Sequence, residues 1–225
     1  GAFEYQGQKC SAASRAYIPE SIWPKVKKII QEEQPKIKCG PVDDLDNYVG
    51  AIIDEKAHKN IVGYIDHAKE HKDKYEFICG GKYDSSKGWF VEPAVIKTSD
   101  PKDKLISEEI FGPVMTVCTY PDEKFEETLK LCDNTSPFAL TGSIFAQDRY
   151  AVEQAEKVLR YSAGNFYIND KPTGAVVGRQ PFGGARASGT NDKAGSMLNL
   201  LRWLSPRTIK ENFTLPQDWR RAFLK

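Results

Sequence analysis

Short β-rich runs alternate with amphipathic stretches along most of the chain. Arg15 to Ile18 predicts a short strand. Ile22, Trp23, Val26, Ile29 and Ile30 recur at helical spacing, with Ser21 placed as the N-cap and Pro24 in the first turn. Gly40-Pro41 breaks the chain. A second amphipathic stretch sets Ile52, Ile53, Ala57, Ile61, Ile65 and Ala68 on one face. Phe77 to Cys79 predicts a strand, Gly80-Gly81 a turn, and Trp89 to Ile96 a return strand in which Pro93 marks an edge or a bulge. The order then becomes regular. Val114 to Tyr120 is a strand, and Phe125, Leu129 and Leu131 belong to a helix after Pro121-Asp122. Phe138 to Phe145 is a strand, Asp148 to Tyr161 a helix with Val152, Ala155, Val158 and Leu159 inward, and Gly164 to Ile168 a strand. Strands alternating with single helices imply crossover units, so the expected fold class is α/β, a mostly parallel sheet with helices on both faces.

Bulk properties narrow the partners. A chain of 225 residues can form one good-sized core or two small domains. Its 40% hydrophobic and 28% charged residues suit a globular protein. A net charge of +1 gives no electrostatic case for nucleic acid or an anionic membrane. No apolar run approaches the ~18–20 residues of a membrane span, and no signal or transit segment opens the chain. Five cysteines, an odd number without a Cys-x-x-Cys pair, argue against a disulfide framework or a zinc site and suit a reducing compartment. His67 and His71 lie four apart and could share a metal, but Lys69, Glu70, Lys72 and Asp73 surround them and mark a solvated face, so no metal is expected. Gly183-Gly184 is not a G-x-G-x-x-G fingerprint, and no P-loop is present.

Chemistry concentrates at Cys10, within Phe3-Glu4-Tyr5-Gln6-Gly7-Gln8-Lys9-Cys10-Ser11-Ala12-Ala13-Ser14-Arg15. Lys9 places a positive charge beside the thiol, and Gly7 permits close backbone approach. Ser11 to Ser14 are small enough for a reactant to sit against the main chain. A helical turn starting here would favour the thiolate, the nucleophilic form. These residues alone leave a buried thiol near a chain end equally open. Cys39, Cys79, Cys118 and Cys132 lack such surroundings and read as structural thiols.

Three motifs in order decide between the two readings. Gln6-Gly7-Gln8-Lys9-Cys10-Ser11-Ala12 resembles the catalytic-cysteine segment of the aldehyde dehydrogenase superfamily, closest to its 1-pyrroline-5-carboxylate (L-glutamate γ-semialdehyde) dehydrogenase branch. Glu108-Glu109-Ile110-Phe111-Gly112-Pro113-Val114 resembles the superfamily's Glu-x-Phe-Gly-Pro element. Pro181-Phe182-Gly183-Gly184-Ala185-Arg186-Ala187-Ser188-Gly189-Thr190-Asn191-Asp192-Lys193 resembles the branch's signature, and the likeness runs to about Asn212.

The resemblance implies NAD-dependent oxidation of L-glutamate γ-semialdehyde to L-glutamate in proline degradation, in the mitochondrial matrix. Cys10 would be the nucleophile and its backbone N–H an oxyanion donor. Glu109 would accept hydrogen bonds from the ribose of NAD, and Phe111 would pack near the nicotinamide. The two are two positions apart, on one face of an extended segment. Lys171-Pro172-Thr173-Gly174-Ala175-Val176-Val177 would anchor the substrate carboxylate through the N–H groups of Gly174 and Ala175, with the Ser11 hydroxyl assisting and Phe182 against the methylene stem. Some members carry Ser where this chain has Ala175.

Residues 1–197 would form the catalytic domain. Residues 198–225 would form a C-terminal oligomerisation arm whose apolar run (Leu198, Leu200, Leu201, Trp203, Leu204, then Thr208 to Phe213) adds a strand to a neighbouring subunit's sheet in a homodimer or higher homo-oligomer. A final strand on the chain's own sheet is equally open from the sequence. Only nine residues precede Cys10, and the chain opens on Gly rather than Met. The NAD-binding domain, the general-base Glu, the oxyanion Asn and any targeting segment are therefore expected upstream of Gly1, and the isolated chain is expected to bind NAD weakly and turn over little. Three alternatives stay open: another aldehyde substrate, a non-catalytic oligomerisation module, and a thiol hydrolase, which needs a His near Cys10.

Overall fold

The computed structural model describes residues 1–214, 217–220 and 222–224. Its centre is a four-stranded sheet in the order β1 (Arg15–Pro19), β6 (Val114–Tyr120), β5 (Ala94–Thr98), β2 (Tyr75–Cys79). The β1–β6 and β6–β5 pairs are parallel and the β5–β2 pair is antiparallel. The sheet is therefore mixed and mostly parallel. Its antiparallel edge arises because β2 returns to β5 without a crossover helix, through a short hairpin of β3 (Tyr83–Asp84) and β4 (Phe90–Val91). Pro93 stands between β4 and β5, so the single return strand expected from Trp89 to Ile96 is two strands in different sheets. The break has a physical cause: proline cannot donate to a ladder.

Alternation along the strands supplies two cores. Ile78, Val95 and Val117 face one side, against Trp23 and Ile30 of α1 (Trp23–Glu33). Ala94, Ile96 and Val114 face the other, against Ile61, Ile65 and Ala68 of α2 (Glu55–Glu70). Helices thus cover both faces, as the near-continuous apolar strands require. The predicted stripes are wider than the faces used. Ile22 and Ile29 remain about half exposed on α1. Helix α2 starts only at Glu55, where the Asp54 carboxylate accepts the Ala57 N–H at 2.7 Å, so Ile53 precedes the helix and is 74% exposed. Ser21 is not the cap of α1: Ile22 holds that position, while Ser21 donates its N–H and hydroxyl to Asp122.

After the short α3 (Lys104–Ser107) and β6, helix α4 (Phe125–Asn134) packs against β1 and against α5 (Arg149–Val158). The run expected as one strand from Phe138 to Phe145 divides at Leu140. β7 (Phe138–Ala139) pairs antiparallel with β10 (Ala185–Arg186), and β8 (Thr141–Ile144) pairs in parallel with β9 (Asn165–Ile168) across α5. Beyond β10 lie α6 (Met197–Leu200) and a 3-10 turn at Leu201–Trp203. Residues 204–214 form no strand, so Thr208 to Phe213 adds none to the chain's own sheets. Among the described residues no helix is long and apolar enough to cross a membrane.

Candidate active site

Four left-handed residues mark the place where two loops meet. Tyr5, Gln6 and Gly7 have φ of 55°, 59° and 65°, and Phe111 has φ of 58°. Such backbone costs about 1–3 kcal/mol per non-glycine residue and persists only where surrounding bonds hold it. Gln6 Nε2 donates to the Ala51 carbonyl at 3.0 Å, and the Ile53 N–H donates to Gln8 Oε1 at 2.9 Å. Gly7 is the point of contact: a Cβ there would stand 2.2 Å from the Gly112 carbonyl oxygen. The chain therefore needs glycine to bring the Cys10 loop against the Glu109–Gly112 loop.

Between these loops lies a cavity of about 110 Å³ whose lining includes Cys10, Glu109 and Phe111 together with Lys9, Phe138 and Thr141. The structure thus brings three of the sequence-predicted residues into one site. Phe111 departs from the extended backbone expected of it, yet its ring, 44% exposed, still reaches the cavity. Buried Ile110 anchors the loop between the two exposed side chains. Tyr64 on α2 fixes its base by donating to Glu108 Oε2 at 2.6 Å, a bond that, with burial, pushes the tyrosine up to about 12. Phe111 also borders a second, mainly apolar cavity of about 300 Å³ formed with Tyr5, Gln8, Ile53, Ala57, Asn60 and Ile110.

Cys10 is exposed, whereas Cys39, Cys79 and Cys132 are partly covered and Cys118 is buried. Burial raises all four of those thiols above the ordinary cysteine value. The expected helical turn at Cys10 is a single turn closed by the Ala12 N–H on the Lys9 carbonyl, and the Cys10 N–H has no acceptor among the described residues. Lys9 does not stand alone beside the thiol: its Nζ lies 3.1 Å from the Glu4 carboxylate, which it holds below the usual carboxylate range. No histidine lines the cavity. His58 is buried against Tyr83 and Trp89, and no metal-binding cluster of three or more His, Cys, Asp or Glu occurs among the described residues.

The remaining predicted residues do not line the cavity. Ser11 is 8% exposed, and its Oγ lies 2.7 Å from Oγ1 of Thr173, which is 4% exposed. That bond docks the 171–175 loop on the Cys10 loop. Gly174, at φ 85°, carries the loop through a left-handed turn, and the N–H groups of Gly174 and Ala175 have no acceptor among the described residues. Phe182 is held at a distance in an antiparallel bridge with Ala194, with backbone bonds of 2.8 and 2.7 Å. Buried Asn165 grips both sides of it, donating to the Pro181 carbonyl at 3.1 Å and accepting from the Gly183 N–H at 3.2 Å. Sequence reasoning missed Gln6, Gln8, Thr173 and Asn165. The signal available was polarity without an assigned task inside the Cys10 motif, in the 171–177 stretch and on β9.

Comparison with known proteins shows the family. The family model for the aldehyde dehydrogenase family matches residues 1–209. The mitochondrial delta-1-pyrroline-5-carboxylate dehydrogenase of Dictyostelium discoideum is 64% identical over 213 residues, covering 95% of this chain and 38% of that protein. The human mitochondrial protein of the same name is 50% identical over 225 residues, covering 100% and 40%. The NAD-bound crystal structure of delta-pyrroline-5-carboxylate dehydrogenase from Mycobacterium tuberculosis superposes with a TM-score of 0.85 at 50% identity, covering 100% of this chain and 41% of that one. The chain thus spans about two fifths of the length of these relatives. It belongs to the aldehyde dehydrogenase family.

Proposed function

We propose that this chain is the nucleophile-bearing part of an NAD-dependent dehydrogenase that oxidises L-glutamate γ-semialdehyde to L-glutamate. The observation that carries the reading is the exposed Cys10 thiol sharing one cavity with Glu109 and Phe111, in a chain 64% identical to a delta-1-pyrroline-5-carboxylate dehydrogenase. The Cys10 thiolate attacks the aldehyde carbon and forms a thiohemiacetal. The Cys10 N–H, which has no acceptor among the described residues, is free to donate to the developing oxyanion. Bound NAD supplies the acceptor for the hydride that leaves this adduct. The residues present fit that group: Glu109 offers an acceptor-only carboxylate for ribose hydroxyls, and the half-exposed Phe111 ring offers a flat apolar surface. Loss of the hydride leaves a thioester on Cys10, which water cleaves to acid and free thiol.

The Gly174 and Ala175 N–H groups serve the substrate carboxylate from the neighbouring loop, and Ser11 stands between them and Cys10. Phe182, held by its bridge with Ala194, bounds the methylene stem. Residues 198–225 act as an arm that covers apolar surface on a second subunit, a role supported by the exposure of Leu198, Leu200, Leu201 and Trp203. A mitochondrial location is supported by the mitochondrial names of two relatives.

The full-length enzyme tests the reading. NAD-dependent oxidation of L-glutamate γ-semialdehyde is expected, with Cys10→Ala lowering kcat by about 1000-fold or more. Turnover that survives Cys10→Ala overturns it.

A further inference from the structure

The buried pair Ser11 and Thr173 holds more hydrogen than its own bond uses. Two hydroxyls carry two protons, and the 2.7 Å contact between their oxygens consumes one. Either oxygen can be the donor in that contact. The second O–H has no acceptor among the described residues, although Ser11 is 8% and Thr173 4% exposed. A buried donor left without an acceptor is costly unless a ligand accepts from it. The unpaired N–H groups of Gly174 and Ala175 follow Thr173 directly, so this corner offers three donors from two loops. The matching ligand group is one that only accepts, a carboxylate.

We propose that Thr173 is a positioning residue for substrate recognition: its hydroxyl donates to Ser11, which turns the Ser11 O–H outward to the carboxylate of the aldehyde substrate. This rests on the dehydrogenase reading above and adds that Ser11 serves the carboxylate only as one half of a hydroxyl pair. A second link between the loops is Glu4, whose carboxylate lies 3.1 Å from Lys9 Nζ and 3.5 Å from Lys171 Nζ, an exposed pair of contacts that cannot orient a buried hydroxyl.

The test compares aldehydes with and without a carboxylate in the full-length enzyme: L-glutamate γ-semialdehyde, succinate semialdehyde and butanal. Thr173→Val removes the hydroxyl and keeps the shape. It is expected to raise KM for the two carboxylate-bearing aldehydes about tenfold, leaving kcat within about twofold and butanal kinetics unchanged. Thr173→Ser should restore the wild-type values. The double variant Ser11→Ala with Thr173→Val should bind the carboxylate-bearing aldehydes no worse than Ser11→Ala alone. Thr173→Ala supplies the same loss of hydroxyl should the valine variant fail to fold. An unchanged KM in both hydroxyl-free variants overturns the proposal alone, and so does an equal rise for butanal, which marks a merely structural residue. A wild-type enzyme that oxidises butanal as readily as the carboxylate-bearing aldehydes overturns the substrate reading and the proposal together.

Discussion

Ile61 and Leu201 are both aliphatic residues on helical turns, and they meet opposite fates. Ile61 is 1% exposed beneath the sheet, and Leu201 is 60% exposed beyond β10. Ile61 belongs to a layer whose facing layer lies in the same chain, with Ala94, Ile96 and Val114 opposite it. Leu201 and its neighbours Leu198, Leu200 and Trp203 have no such layer among the described residues. Apolar patterning therefore encodes a demand for cover, and where the cover comes from is a separate matter. The largest expected effect breaks the comparison at this point. Ile61→Ala should cost about 2–5 kcal/mol in a urea titration. Leu201→Ala should stay within about 0.5 kcal/mol while weakening subunit association in sedimentation of the full-length enzyme. A Leu201→Ala loss as large as that of Ile61→Ala would show the arm to be part of the core.

A second comparison sets glycine against glycine. Gly63 lies in exposed helix, where an added methyl would have nothing within 4 Å, whereas the same methyl on Gly7 would meet the Gly112 carbonyl at 2.2 Å. One substitution should thus act with opposite signs. Gly7→Ala should destabilise by about 1–3 kcal/mol and lower kcat, because the cavity holding Cys10 and Phe111 is built on that contact. Gly63→Ala should stabilise by about 0.4–1 kcal/mol. Melting temperatures of the two variants check the sign, and a Gly7→Ala protein as active and stable as the parent would show that the two loops are not seated on each other.

The same contrast explains what was legible in the sequence. The two-sided sheet was readable because β5 and β6 are apolar on both faces and α2 repeats Ile61, Ile65 and Ala68 at helical spacing. The antiparallel β2 edge was not, since Tyr75 to Cys79 is equally apolar in either direction and the short β3–β4 hairpin that reverses it carries only two-residue strands. Pro93 signalled an edge or a bulge but not that its two sides join different sheets. At the site, Cys10, Glu109 and Phe111 were found through their motifs. The side chains that position them were not. Gln6, Gln8, Thr173 and Asn165 act across 16 to 162 residues of sequence separation, and no local pattern announces a hydrogen bond over such a span.

Where β10 meets α4, a smaller effect depends on pH. Arg186 on β10 donates to the Asp133 carbonyl at 2.7 Å and to its carboxylate at 2.6 Å, and Ser162 donates to the same carboxylate oxygen. Burial pushes the Asp133 carboxyl up, but the Ser162 and Arg186 bonds outweigh it and hold the group below its ordinary value. A carboxyl depressed on folding stabilises the fold above its unfolded value of about 3.9, and the contribution is lost as pH falls through the lower folded value. Asp133→Asn should therefore lower the urea midpoint equally at pH 7 and pH 5. The gap from the parent should close as the pH falls toward 3. Because the carboxylate is partly open to solvent, the gap is expected to be the smallest of these effects. No gap at any pH would mean that Asp133 ties β10 to α4 through its backbone carbonyl alone.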